Sequence, residues 1–225
     1  MNSINSSAAS ADSKQIQAYQ QIKEAIINNE FPPGTPMVER KLCDMYSVSR
    51  SPIRNALQQL IHAGLLTVAP GKGVIVPEYS TEDILEIFDI MEMLQTHAVR
   101  YCVRTKNEMT EQTLHMFLNN MRQCIDSGDL LSNTKWDQQF HRYIISTASN
   151  KRLDAMFEQI NNQQIRCVVT ILDDPVHAEA SYNQHVALYN AILAGDENAP
   201  AEAVKNHYKA IKQYYINKLL VKITL

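Results

Sequence analysis

Apolar side chains recur at helical spacing along most of the chain, and the breaks in that rhythm mark its elements. A first helix is predicted from about Gln15 to Asn29, because Tyr19, Ile22 and Ile26 fall on one face. Phe31-Pro-Pro-Gly-Thr-Pro ends it, since proline lacks the N–H that a helix interior needs. A short helix follows at about Val38–Tyr46, then a turn at Ser47-Val48-Ser49. The next helix takes Ser49 as its N-cap and tolerates Pro52 in its first turn. Its apolar stripe is Ile53, Ala56, Leu57, Leu60 and Ile61, and it stops at Gly64.

Beyond Gly64 the period shortens. Leu65–Ala69 and Val74–Val76 are rich in β-branched residues and flank Pro70-Gly71-Lys72-Gly73, which reads as a hairpin. Three helices followed by a hairpin is the order of a winged helix-turn-helix. Ser80 with Asp83 then opens a new helix in capping-box fashion. Ile84, Ile87, Phe88, Met91, Leu94, Ala98 and Cys102 form its stripe. Further helices are predicted at about Thr110–Ser127, Leu130–Ser149, Lys151–Leu172, His177–Ala194 and Pro200–Leu219. The fold class is therefore mainly α: a winged helix-turn-helix over 14–77, then an antiparallel helical bundle over 78–225. The small polar residues of 1–13 read as a disordered arm.

Composition narrows the classes. With 45% hydrophobic and 20% charged residues, the chain resembles an ordinary globular protein. No apolar run matches a membrane span and no signal-peptide pattern opens the chain, so a cytoplasmic location without membrane contact is expected. Cys43, Cys102, Cys124 and Cys167 lack CxxC spacing and read as reduced thiols. The net charge of −3 argues against indiscriminate coating of nucleic acid, while residues 1–78 alone carry +1.

The cations of the first domain fall where DNA would be read. On the helix after Ser49 the apolar stripe faces the core, leaving Arg50, Ser51, Arg54 and Gln58 on other faces. Guanidinium groups one turn apart at a helix N-terminal end can grip phosphates or pair with guanine O6 and N7. Arg40 on the preceding helix and Lys72 at the hairpin tip add phosphate contacts. The alternative is that these are ordinary solvated surface cations.

Glu39-Arg40-Lys41-Leu42, Val48-Ser49-Arg50-Ser51-Pro52-Ile53-Arg54-Asn55-Ala56-Leu57, Gly64-Leu65 and Gly71-Lys72-Gly73-Val74-Ile75-Val76 together resemble the winged helix of GntR-family regulators. That resemblance implies DNA contact by Arg40, Ser49, Arg50, Ser51 and Arg54, with a wing at Lys72 and Gly73. Two positions depart from the family pattern: Asn55 stands where Glu is usual, and Val38 where Ser often caps the second helix.

The second domain holds a polar cluster. Asp137 and His141 are i, i+4 neighbours, while His185 and His207 share apolar stripes with Leu188 and Ile192, and with Val204 and Ile211. Three imidazoles and a carboxylate aimed into a bundle suit a divalent transition metal, with zinc, nickel and manganese all compatible. Each is otherwise a core histidine satisfied by a hydrogen bond. His62, His97, His115 and His177 lack such company and read as structural or surface residues.

Asp137 to Ile144, followed by Asn150, Leu153, His185 and His207, resembles the FCD effector domain of FadR-type GntR regulators, in the six-helix VanR-like version. The resemblance implies a metal held by Asp137, His141, His185 and His207, and a carboxylate-bearing effector beside it. It departs at Met91, where Arg is frequent, and at Gln95, where Glu is common. Arg166 is a candidate replacement cation, so Met91, Gln95 and Arg166 are the expected effector-pocket residues.

The expected function is a ligand-controlled transcriptional regulator, a repressor, binding double-stranded DNA as a homodimer on a pseudo-palindromic operator. Two other readings stay open: a metal-dependent enzyme using the Asp/His cluster, and an architectural DNA binder without an effector.

Overall fold

A computed structural model describes residues 3–169 and 174–223, with side chains for 13–167 and 174–218. Its elements are α1 (Ser3–Ile27), α2 (Glu39–Tyr46), α3 (Arg50–His62), β1 (Thr67–Ala69), β2 (Gly73–Ile75), α4 (Thr81–Thr105), α5 (Glu108–Ser127), α6 (Leu130–Thr147), α7 (Lys151–Val169), α8 (Pro175–Ala194) and α9 (Asn198–Ile223). The chain divides after Tyr79 into two compact units, and the end of α7 from Ile165 groups with the first.

In the first unit, Ala18, Ile22 and Ile26 of α1 pack with Ile53, Ala56, Leu57 and Leu60 of α3. Leu42 of α2 and Leu65, Leu66 and Val76 of the hairpin region complete the core. Each fully buried Ile or Leu contributes about 1.5–3 kcal/mol, so this core fixes how α3 is presented. α1 begins at Ser3 and so takes in 3–13 of the stretch expected as an arm; residues 1 and 2 lie outside the described residues.

The end of α3 explains Gly64. Gly64 N–H donates to the Ile61 carbonyl and Leu65 N–H to the Leu60 carbonyl, at 3.0 and 2.9 Å. This is the Schellman arrangement, with Gly64 at φ +73° and the buried Leu60 and Leu65 as its apolar pair. Ser49 occupies the N-cap position in extended conformation, but its hydroxyl makes no capping bond, contrary to expectation.

β1 and β2 pair antiparallel, with Val68 opposite Val74, and Pro70-Gly71-Lys72 forms the tip. Gly71 and Gly73 both take positive φ, +72° and +74°, which side-chain-bearing residues rarely adopt. The segment expected only as a helix stop joins this ribbon. Met37 N–H donates to the Val74 carbonyl at 2.8 Å and Val76 N–H to the Thr35 carbonyl at 3.0 Å. Pro36, with no N–H to give, is tolerated because it lies at the edge.

In the second unit, α4 packs on α9 and α6, α5 on α6 and α8, and α8 on α9. Buried residues from each helix fill the space between, among them Phe88, Leu114, Phe140, Phe157, Ile192 and Tyr208. Ser80 and Asp83 form the expected capping box, with Asp83 N–H donating to Ser80 Oγ and Ser80 N–H to Asp83 Oδ2. α5 starts earlier than expected because Asn107 and Thr110 form a second box. α8 starts earlier because Asp174 caps it and Pro175 fits its first position. The expected end of α7 at Leu172 lies outside the described residues. The four cysteines are free, and burial pushes the Cys102 thiol up to about 11.

Candidate DNA-reading surface and metal centre

α3 is built two-faced. Pro52, Ile53, Ala56, Leu57 and Leu60 are buried, while Ser49, Arg50, Ser51, Arg54 and Gln58 are exposed. Arg40 on α2 is exposed as well, as are Lys72 and Gly73 on the hairpin. Because the Ser49 hydroxyl caps nothing, it stays free to meet a phosphate.

Arg54 is held in place by a residue that sequence reading passed over. Its Nε donates to Glu39 Oε1 at 2.9 Å and one terminal nitrogen to Glu39 Oε2 at 3.0 Å. That hydrogen bonding lowers the Glu39 carboxyl below its ordinary range. The side edge of the guanidinium is thereby spent, and its two terminal nitrogens keep outward hydrogens, the pair that meets guanine end-on. Asn55 donates from Nδ2 to Gln15 Oε1 at 3.0 Å, tying α3 to α1.

In the second unit, α6, α8 and α9 bring His141, His185 and His207 together, with donor atoms within 4.8 Å of one another. His141 Nε2 and His185 Nε2 stand 3.0 Å apart, and Asp137 Oδ1 lies 3.0 Å from His185 Nε2. Asp137 is partly buried and meets the cluster through His185.

The outer nitrogens set the tautomers. His185 Nδ1 lies 2.7 Å from the Ser181 carbonyl, and His207 Nδ1 lies 2.8 Å from Gln184 Oε1. Both partners accept only, so both Nδ1 atoms carry hydrogen and each Nε2 is the nitrogen turned toward the cluster. The contact between Asp137 Oδ1 and His185 Nε2 is favourable with either a proton or a metal ion between them. Ligands at about 2.0–2.2 Å from an ion are separated by roughly 2.8–3.1 Å at right angles and roughly 3.3–3.6 Å in a tetrahedron, so both short contacts lie at the right-angle end.

Charge follows the same logic. Burial works against ionising Asp137, but His185, His141 and His207 outweigh it and hold the carboxyl below its ordinary range. Burial lowers His141 to about 4, with Asp137 opposing, and drives His207 well down, reinforced by the other two imidazoles. Lowered imidazoles at His141 and His207 and an ionised carboxylate at Asp137 both favour the deprotonated forms that metal binding uses.

Of the expected pocket residues, Met91 and Gln95 lie buried on α4 in the second unit, whereas Arg166 falls in the first. Gln95 Nε2 donates to the His141 carbonyl at 3.1 Å, and its Oε1 has no partner among the described residues. His141 Nδ1 and the Tyr208 hydroxyl are likewise buried without partners among the described residues. The Tyr208 ring lies 6.1 Å from that of His141. Buried polar atoms left open around one cluster suit a polar ligand. His177, expected to be isolated, stacks on Tyr214 at 3.7 Å and senses the charge of Asp137. Its proximity depends on the α8–α9 packing, which no local pattern encodes.

Comparison with known proteins is consistent across both units. A model for the FCD domain matches residues 86–210, and one for bacterial regulatory proteins of the gntR family matches 14–76. The HTH-type transcriptional regulator YdhC of Bacillus subtilis is 26% identical over 194 residues, covering 86% of this chain and 87% of the relative. The HTH-type transcriptional repressor GlaR of Escherichia coli is 27% identical over 203 residues, covering 85% and 91%. Among solved structures, a GntR regulator from Rhodococcus sp. RHA1 superposes with a TM-score of 0.80 at 21% identity, covering 91% of this chain and 98% of that one. E. coli McbR/YncC gives 0.79 at 20%, covering 92% and 98%. Among the described residues no helix is long and apolar enough to cross a membrane.

Proposed function

The chain belongs to the GntR family of bacterial regulatory proteins, with an FCD domain behind its DNA-binding domain, and from that premise we propose a ligand-responsive repressor acting as a homodimer. Family membership makes it a DNA-binding transcriptional regulator rather than a metal-dependent enzyme. In this reading residues 14–77 bind the operator and 78–225 bind the effector and pair the chains. Relatives named as repressors, GlaR among them, favour repression.

Arg50, Arg54 and Ser51 enter the major groove from the start of α3, Arg40 and Ser49 hold phosphates, and Lys72 and Gly73 lie along the neighbouring backbone. Two copies reading two half-sites give the operator its dyad.

The observation that carries the effector half is the convergence of His141, His185 and His207, with Asp137 Oδ1 3.0 Å from His185 Nε2. His141, His185 and His207 would hold a divalent metal with Asp137, and the ion would offer open positions to a carboxylate effector. Gln95, Tyr208 and Met91 would line the ligand's other side, the first two through their open polar atoms. A ligand controls DNA binding only through its differential affinity for the competent and incompetent dimer arrangements.

The test is capture of fragmented genomic DNA on the immobilised full-length protein, followed by sequencing. The proposal predicts enrichment of an inverted repeat, and Arg50→Ala protein that fails to enrich it. Enriched sequences without dyad symmetry would count against the dimeric operator. No enrichment over random fragments at the same salt would count against sequence-specific repression itself.

A further inference from the structure

The outward face of α4 carries a charge pattern that fits itself when reversed. Glu82, Glu86, Asp89, Met93, His97, Arg100 and Arg104 are all exposed. At about 100° per residue they fall within one narrow stripe. Its N-terminal half is acidic and its C-terminal half basic. The spacing is symmetric about Met93: Asp89 and His97 lie four residues either side, Glu86 and Arg100 seven, Glu82 and Arg104 eleven. The middle is apolar and open, with Met93 57% and Ile90 37% exposed. The opposite face of the helix is already used, packed on α9, α6 and α8.

We propose that two copies of this chain pair α4 against α4, antiparallel, about a two-fold axis at Met93. The idea rests on the homodimer reading above and names its surface. A two-fold axis places each residue before Met93 opposite the residue equally far after it in the partner. Glu86 then faces Arg100 twice and Glu82 faces Arg104 twice, while the two Met93 side chains meet on the axis. A parallel pairing would set acid against acid and base against base, so the charges choose the direction. Among the described residues neither Glu86 nor Arg100 has a salt-bridge partner, whereas Arg104 already holds Glu197 at 2.6 Å and Asp89 holds Lys212 at 2.6 Å. Glu86 and Arg100 are therefore the pair that decides the contact, and the apolar middle supplies the surface it closes.

The test is the dissociation constant of the full-length protein by sedimentation equilibrium, reading the transition between one and two chains of 25.6 kDa. Glu86→Arg alone, or Arg100→Glu alone, sets like charges opposite one another and should weaken the dimer by about tenfold or more. The double variant restores opposite charges and should recover most of that loss. An equimolar mixture of the two single variants is complementary across the axis and should dimerise better than either alone. Circular dichroism checks that each variant is folded. A wild-type dimer indifferent to all of these changes would place the interface elsewhere and leave the homodimer reading intact. A wild-type protein that stays a single chain at all accessible concentrations would overturn both.

Discussion

Glu39 grips Arg54 with both carboxylate oxygens, at 2.9 and 3.0 Å, across the turn between α2 and α3. The pair is solvent-exposed and contributes little to stability, so its consequence lies in aim. With the side edge of the guanidinium occupied, the end-on pair of hydrogens is fixed toward whatever α3 docks against. Arg54→Ala should weaken binding to the captured operator by about 1–3 kcal/mol, or roughly 5- to 150-fold, with a smaller loss on random duplex. Glu39→Gln frees the arginine and removes a negative charge. It should tighten binding to random duplex while lowering the operator-to-random ratio. Fluorescence anisotropy at fixed salt reads both; equal changes on the two duplexes would show that Glu39 does not orient Arg54.

Gln184 tests the metal centre without touching a ligand. Its Oε1 accepts from His207 Nδ1 at 2.8 Å, fixing the tautomer that turns Nε2 inward. Outer partners of this kind typically change metal affinity by about 10- to 100-fold. Gln184→Leu should therefore weaken zinc binding in a competition titration by that order, while Gln184→Glu, which still accepts, should retain it. Equal loss in both variants would point to damaged packing rather than a lost hydrogen bond.

Chelator-treated protein should become less stable as pH falls. His141 is held at about 4 by burial, and His207 is lowered in the same direction, against an ordinary value of 6.5. The unfolded chain then takes up protons first. Stability is full above about pH 6.5 and declines toward about pH 4 as the unfolded histidines charge while the folded ones do not. Thermal unfolding midpoints should fall across this window, by about 2–4 °C for each kcal/mol lost. His141→Gln should flatten the profile. A midpoint level or rising over the same range would contradict neutral, buried imidazoles.

Local signals in the sequence carried the elements and the ligand types. Periodicity placed the stripes of α3 and α4, Ser80 with Asp83 announced a capping box, and Gly64 marked a helix end. Asp137 and His141 were legible as one face of α6, with His185 and His207 as polar intruders on apolar stripes. What stayed hidden depends on tertiary neighbours. Thr35–Met37 reads as a helix stop because its ribbon partners, Val74 and Val76, lie far along the chain. Glu39 and Arg54 meet only once α2 packs on α3. Ser49 has the right residue type for a cap, yet in the fold its hydroxyl makes no such bond. Arg166, expected as a replacement for the cation the family carries near Met91, is buried near the end of α7, in the stretch that groups with the first unit.

The most direct test of the metal-centred account is elemental mass spectrometry on untagged protein incubated with zinc, nickel or manganese and then desalted. The account predicts about one divalent ion per chain for at least one of these metals, lost in His207→Ala and reduced in Asp137→Asn. Protein that stays metal-free with all three would contradict it, leaving Asp137 and His185 bridged by a proton instead.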